Sequence, residues 1–259
     1  MKALESLSLL TLAFFILFVL TIILTIFLNI SINSLLHSLT SDEVRFATLL
    51  SIKCSIVAIL LASLIGVPSA YFLARHSFPG REVIDSLINL PILLPPLVSG
   101  FSLLIFLGNS PIGKFVNSIL PLIFTPNGII LAQFFIATPF IIKTSRAIFE
   151  SIDIKYEYIA QSLGCSKLES FFRVLLPMAK NGIIAGIILG WARAFGEFGA
   201  TLMLAGATKF RTETLPTAIF LNVSIGNIDL ALTISLIHIV IAILVILSIK
   251  LILGRSYEC

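Results

Sequence analysis

Six runs of this 259-residue chain are apolar over a length that crosses a lipid bilayer, roughly 8–30, 47–74, 84–108, 128–149, 181–206 and 228–253. A bilayer core takes about 20 apolar residues per helix, and it leaves no backbone polar group unpaired. Runs of this length select helices over strands. Residues are 58% hydrophobic and only 12% charged, about half the charged share of a soluble domain, so lipid is the solvent for most of the surface. The expected fold is all-α: a polytopic membrane protein with six transmembrane helices in a single compact membrane domain, 1–259, without space for a separate catalytic domain. The first run follows Lys2 as the apolar stretch of a signal peptide would. It is too long for one and no Ala-x-Ala site follows it, so a retained span is expected.

The net charge of +4 raises nucleic acid as a partner, but basic residues holding the cytoplasmic ends of spans account for it better. With the N-terminus inside, Lys2, Arg75, Arg81, Lys143, Arg146, Lys155, Lys167, Arg173, Lys180, Lys250 and Arg255 fall on the cytoplasmic side. Arg45, Lys53, Lys114, Lys209 and Arg211 fall on the other. The bias, about two to one, places both termini in the cytoplasm. Cys54, Cys165 and Cys259 are too few and too scattered for a disulfide framework. No clean internal repeat is visible.

Two runs carry breakers or excess length. The second is long enough to tilt or project beyond the lipid. The third holds Pro91, Pro95 and Pro96, which remove backbone donors and should kink or break its first half. Of the outer loops, 109–127 reads as an irregular cap with Pro111, Gly113, Pro121 and Pro126, and 207–227 holds Thr212, Glu213, Thr214 and Pro216.

Between the fourth and fifth runs lies one long polar stretch, 150–180, cytoplasmic by the charge bias. Asp153 to Ser162 is free of Gly and Pro and can form almost three helical turns. Gly164 supplies a left-handed helix end. Ser166 with Glu169 three residues on is a capping box, opening a second helix from Lys167 to about Leu176 that stops at Pro177. Tyr156, Ile159, Ala160 and Leu163 recur at helical spacing and make a small apolar face. Such a face fits a groove on another protein or lies on lipid headgroups; the pattern alone does not choose.

The fifth run contains Arg193, Gly196, Glu197, Gly199 and Thr201. An arginine at membrane depth costs about 2.5–3.5 kcal/mol on insertion scales and must face protein or water. Glu197, four residues on, shares its helix face and Thr201 continues the row. The pair reads as a packing lock or as a pathway gate. Gly182, Gly186, Gly190 and Ala194 form a row of small residues for close helix packing.

The residues Ala160, Gly164, Val174, Leu176 and Pro177 resemble the cytoplasmic-loop signature of ABC importer permeases: Glu-Ala-Ala, a glycine four residues later, and an apolar-x-Leu-Pro ending. Tyr158 and Ile159 stand where that family has Glu and Ala, with Glu157 one place earlier as the candidate acidic contact. The string 193–206 and Arg211-Thr212-Glu213-Thr214-Leu215-Pro216 are similar to the molybdate/tungstate branch, with sulfate permeases as near relatives. The resemblance covers most of the chain from about residue 46. It implies a permease subunit in the cell membrane, in which Glu157, Tyr158, Ile159, Ala160, Gly164, Val174, Leu176 and Pro177 form a coupling helix and its flanks. It implies as partners a second copy of the chain, two ATP-binding subunits and an extracytoplasmic oxyanion-binding protein, with ATP and magnesium held by the ATPase subunit and no cofactor, metal or catalytic residue on this chain. Ser99, Ser102, Arg193, Gly196, Glu197, Gly199 and Thr201 are the candidate pathway residues. A sulfate or thiosulfate permease is the near alternative.

No Gly-x4-Gly-Lys-Ser/Thr phosphate loop is present. Two other classes compete: an intramembrane hydrolase built on a Ser99–His238 dyad, and an ion-driven secondary transporter with Glu197 on its ion path.

Overall fold

The computed structural model describes residues 2–30 and 32–254, and among them there is no β-strand. The side chains of Lys2 and Lys250, and Arg255 and Cys259 entirely, lie outside the described residues. The helices in chain order are α1 (Lys2–Leu28), α2 (Ile32–Leu39), α3 (Asp42–Arg75), α4 (Arg81–Leu93), α5 (Pro96–Asn109), α6 (Pro111–Ile119) and α7 (Pro126–Ser151). They continue with α8 (Lys155–Ser162), α9 (Lys167–Ser170), α10 (Leu176–Phe195), α11 (Gly199–Ala205), α12 (Leu215–Ser224) and α13 (Ile228–Gly254).

Among the described residues five helical stretches are long and apolar enough to cross a membrane, or six if the bent pair α4–α5 is one span. The centre is α3, α7 and α10 packed together. Gly182, Gly186 and Gly190 of α10 lie against Ile148, Thr144 and Ile141 of α7, where a Cβ would collide with or crowd the facing side chains, so the small-residue row serves helix packing. One buried cluster (Ala70, Leu73, Phe149, Leu175, Ala179, Ile183) sits at one end of this core; another (Val44, Ala47, Phe195, Leu215, Ile234) sits at the other. α1 touches mainly α13 and its apolar side chains are exposed along its length, as for a helix solvated by lipid. α3 runs 34 residues, about 50 Å at 1.5 Å per residue, and outreaches the hydrocarbon as expected.

The third apolar run is not one helix. α4 and α5 meet at 109° across Leu94–Pro95. A residue before proline is driven to extended backbone. Leu94 precedes Pro95 and Pro95 precedes Pro96, and both adopt it, with ψ of 138° and 135°. Two such residues in succession leave no route for a continuous helix.

The fifth run also departs from one straight span. α10 ends at Phe195, residues 196–198 break it, and α11 follows as a separate short helix. Its other end reaches further than expected. The second knob helix does not stop at Pro177, because α9 passes through a π-helical turn at Phe171–Leu175 directly into α10. There the Leu176 N–H reaches back five residues to the Phe171 carbonyl. The widened turn makes room for a proline ring and a missing donor that a regular α-ladder rejects.

Two loops are more ordered than the sequence reading allowed. Within 109–127, Ser110 Oγ accepts the Gly113 N–H at 2.9 Å and starts α6 at Pro111, a favoured first-turn proline. Within 207–227, Thr214 and Thr217 form a reciprocal cap for α12.

Candidate functional site

The polar stretch 150–180 folds as a knob at one end of the bundle. Asp153 Oδ1 accepts the Lys155 N–H at 2.9 Å, and α8 starts there, two residues later than the sequence suggests. At its far end Gly164 takes φ +97°, the Gly164 N–H bonds the Gln161 carbonyl at 3.0 Å, and the Cys165 N–H bonds the Ala160 carbonyl at 3.1 Å. This pair of bonds is a Schellman cap. No atom lies within 4 Å of where a Gly164 Cβ would be, so the glycine answers a conformational need and not a shortage of space. The capping box forms: Ser166 Oγ accepts from Glu169 N–H at 3.2 Å and Glu169 Oε2 from Ser166 N–H at 2.9 Å.

The knob is bolted to α3. Glu157 Oε1 pairs with Arg75 Nε at 2.6 Å, with both side chains at most 9% exposed. Tyr71 Oη donates to Glu157 Oε2 at 2.9 Å and Arg75 Nη2 donates to the Ile152 carbonyl at 3.0 Å. Ser170 Oγ, from α9, donates to the Glu157 carbonyl at 3.2 Å. The Tyr71 ring meets Phe171 and Phe149 edge-on, at 4.7 and 5.7 Å between centroids. Glu157 therefore faces inward, not outward as an acidic contact for a partner: a carboxylate beside a buried guanidinium is held by that charge. Ala160 is buried with it.

The other knob positions turn out. Tyr156, Tyr158, Ile159, Leu163, Leu168 and Phe172 are all at least half exposed. Beside them a cavity of about 490 Å³, lined by Tyr71, Arg75, His76, Tyr158, Lys167 and Phe172 among others, opens between α3 and the knob. Val174 and Leu176 are half-buried and Pro177 is exposed, on the continuous helix leading into α10. Four large apolar groups and two tyrosines cluster on the outer side of one knob.

The candidate pathway residues gather at the break between α10 and α11. Arg193 Nη1 bonds Glu197 Oε2 at 2.5 Å, with Glu197 1% and Arg193 34% exposed. The other Glu197 oxygen accepts the Ala200 N–H at 3.0 Å, capping α11. Thr201 does not extend a single helical row from these two, since the break intervenes. α11 lies on α5 backbone to backbone: a Cβ on Gly100 would sit 2.6 Å from Ala200 Cα, and one on Gly199 would sit 3.0 Å from Leu97 N. Ser99 and Thr201 are fully buried in this region and their hydroxyls have no hydrogen-bond partner. Ser102 and Gly196 are exposed. His238 stacks on Phe195 at 5.0 Å. The Ser99 hydroxyl is unpartnered, so the Ser99–His238 dyad does not form and the hydrolase reading fails on geometry. Among the described residues no three His, Cys, Asp or Glu side chains are grouped to hold a metal.

Two features escaped sequence reasoning. Arg75 and Tyr71 lie 82 and 86 residues from their partner Glu157, and no local pattern announces the contact. Likewise Arg146 bridges Asp85 and Glu150 at 2.7 Å each, and Arg81 reaches Glu150 at 3.2 Å, tying α4 to α7.

Residues 58–256 match the family model described as "Binding-protein-dependent transport system inner membrane component". A probable molybdenum ABC transporter permease protein of Haloferax volcanii is 39% identical over 220 residues, 85% of this chain and 80% of that protein. The sulfate transport system permease protein CysT of Salmonella typhimurium is 32% identical over 219 residues, 84% of this chain and 79% of that protein. Among solved structures, a bacterial ABC transporter that imports the acidic polysaccharide alginate superposes with a TM-score of 0.79 at 16% identity, covering 99% of this chain and 96% of that one. At that identity the match speaks for the fold alone.

Proposed function

The chain belongs to the family of binding-protein-dependent transport system inner membrane components, and from that premise we propose that it is the permease subunit of an ATP-driven importer of molybdate or tungstate. Two copies of the chain form the pathway, two ATP-binding subunits supply hydrolysis with their own ATP and magnesium, and an extracytoplasmic protein delivers the oxyanion.

The observation that carries this reading is the knob. Its inner side, Glu157 and Ala160, is fastened to α3, while Tyr158, Ile159 and Leu163 stand out from the bundle. A helix fixed on one side and apolar on the other can seat in a partner's groove and transmit force without melting. The link runs from α8 through the Gly164 turn and the capping box into α9, and α9 is continuous with α10. Displacement of the knob therefore reaches the Arg193–Glu197 break, where α11 rests on α5. Alternating access follows if α10 and α11 shift against α5 as ATP-binding subunits close and open. A charged oxyanion crossing the bilayer needs a polar path, and the buried, unpartnered hydroxyls of Ser99 and Thr201 are available as donors on that path.

Sulfate is the second reading, favoured by the 32% identity to a sulfate permease. Uptake of labelled molybdate, tungstate and sulfate into vesicles holding this chain, an ATPase partner and a binding protein distinguishes them. ATP-dependent uptake of molybdate or tungstate in preference to sulfate is the expected result. Uptake that needs a sodium or proton gradient and no ATPase subunit would overturn the proposal.

A further inference from the structure

At the end of the bundle opposite the knob, residues 206–214 close over the start of α3. Lys209 Nζ donates to Glu43 Oε2 at 2.8 Å, and Asn222 Nδ2, from α12, donates to Glu43 Oε1 at 2.7 Å. Phe210 sits at φ +56°, packs edge-on against Phe46 of α3 at 5.7 Å, and donates its N–H to Glu213 Oε2 at 3.3 Å. Glu213 is fully buried, and its Oε1 has no hydrogen-bond partner.

The charged groups that face Glu213 are Glu43 from α3 and Lys209 from the loop itself; α12 contributes the Asn222 amide, which is spent on Glu43. Lys209 is likewise engaged by Glu43. An ionised Glu213 would thus be a buried carboxylate with one bare oxygen beside a second carboxylate, the costliest state of the cluster. The neutral acid removes both faults at once. Its proton turns Oε1 into a donor, and Glu43 is the adjacent acceptor.

We propose that Glu213 and Glu43 share one proton, and that this carboxyl–carboxylate pair latches the 206–214 loop to the N-terminal end of α3. Losing the proton sets two negative charges against each other and releases the loop.

Burial first, then the Glu43 charge, push the Glu213 carboxyl up to about 7. A released loop returns it to the ordinary glutamate value of about 4.3. The latched state therefore binds this proton more tightly, so the contribution of Glu213, complete below about pH 4, is lost as pH rises through about 7. Glu43, held below its ordinary value against burial by Asn222 and Lys209, must stay ionised, so the pair also fails in strong acid. Linkage between these two values makes the loop open about tenfold more often at about pH 8 than at about pH 6, with little further change above.

The test is amide hydrogen exchange of the full chain in lipid nanodiscs, at both pH values and corrected for intrinsic exchange. Peptides covering 206–214 should show the tenfold rise in wild type. Glu213→Gln keeps a donor without a titratable group and should exchange equally at both. Glu43→Gln removes the repelling charge and should move the rise to lower pH. Wild-type exchange that is flat with pH, or a Glu213→Gln variant that keeps the rise, overturns the latch. Should the variants fail to insert, infrared spectra of wild type with labelled glutamate decide the matter. A protonated-carboxyl band present at the lower pH and gone at the higher supports the latch, and its absence at the lower pH refutes it. Neither readout depends on the substrate carried or on the ATPase partner, so the latch and the transport proposal stand or fall separately.

Discussion

Removing the Glu157 charge is the sharpest perturbation of the lever. In Glu157→Gln, Arg75 keeps its bond to the Ile152 carbonyl but loses its counter-charge while 9% exposed. Stranding one member of a buried ion pair costs about 3–5 kcal/mol. That is a rise of roughly a hundred- to a few-thousand-fold in the equilibrium constant for detaching the knob from α3, at 1.36 kcal/mol per decade. Tyr71→Phe removes a single bond to a charged acceptor and should cost less, about 1.5–3 kcal/mol. Hydrogen exchange over residues 153–176 in the full chain measures both, and Arg75→Gln together with the double variant Glu157→Gln/Arg75→Gln supplies the coupling term. The double variant should exchange more slowly than Glu157→Gln alone, because it no longer buries a lone cation. In the assembled transporter the single variant should hydrolyse ATP with little uptake. If Glu157→Gln exchanges within about threefold of wild type, under 1 kcal/mol, the anchoring argument is wrong.

Other expectations follow from the same geometry. Gly164→Ala forces a Cβ into left-handed backbone at φ +97° with open space around it, so thermal unfolding should register only about 1–2 kcal/mol, while bulkier replacements should cut ATP-coupled uptake and leave membrane insertion intact. Gly100→Ala places a methyl 2.6 Å from the Ala200 backbone; it should displace α11 from α5, cost at least about 1–3 kcal/mol, and abolish uptake. Gly66→Ala meets side-chain atoms alone, Ile141 Cγ2 at 3.0 Å and Ile142 Cγ1 at 3.6 Å, and should be far milder in the same unfolding assay. Arg193→Ala leaves the Glu197 carboxylate buried with the Ala200 N–H alone, and should cost about 3–5 kcal/mol, with partial rescue by Arg193→Ala/Glu197→Gln in a stability cycle.

Much of the knob was legible because its signals are local. Gly164 ends α8, and Ser166 with Glu169 starts α9, through bonds spanning five residues or fewer. The spans were legible too, since lipid demands long apolar helices wherever they pack. The prolines announced a break in the third run by the same local logic: Leu94 and Pro95 each precede a proline and each is extended. Where helices end inside apolar sequence was not legible. Gly196 interrupts the fifth run, whereas Pro177 does not end the knob helix that leads into it, although proline is the stronger breaker in isolation. The Glu197 carboxylate caps α11 at the first position, and a π-helical turn absorbs the second.

What the sequence determined by itself was the class: an all-helical membrane body with one basic-flanked polar knob, because hydropathy and capping act within one helix and its neighbours. What only the tertiary structure decided was which side of the knob faces which way, and which charges meet. Glu157 on α8 finds Arg75 on α3, and Glu213 in the 206–214 loop meets Glu43 on α3, through packing of segments far apart in the chain. Burial and charge pairing depend on that packing, and no periodicity along one strand of sequence encodes it.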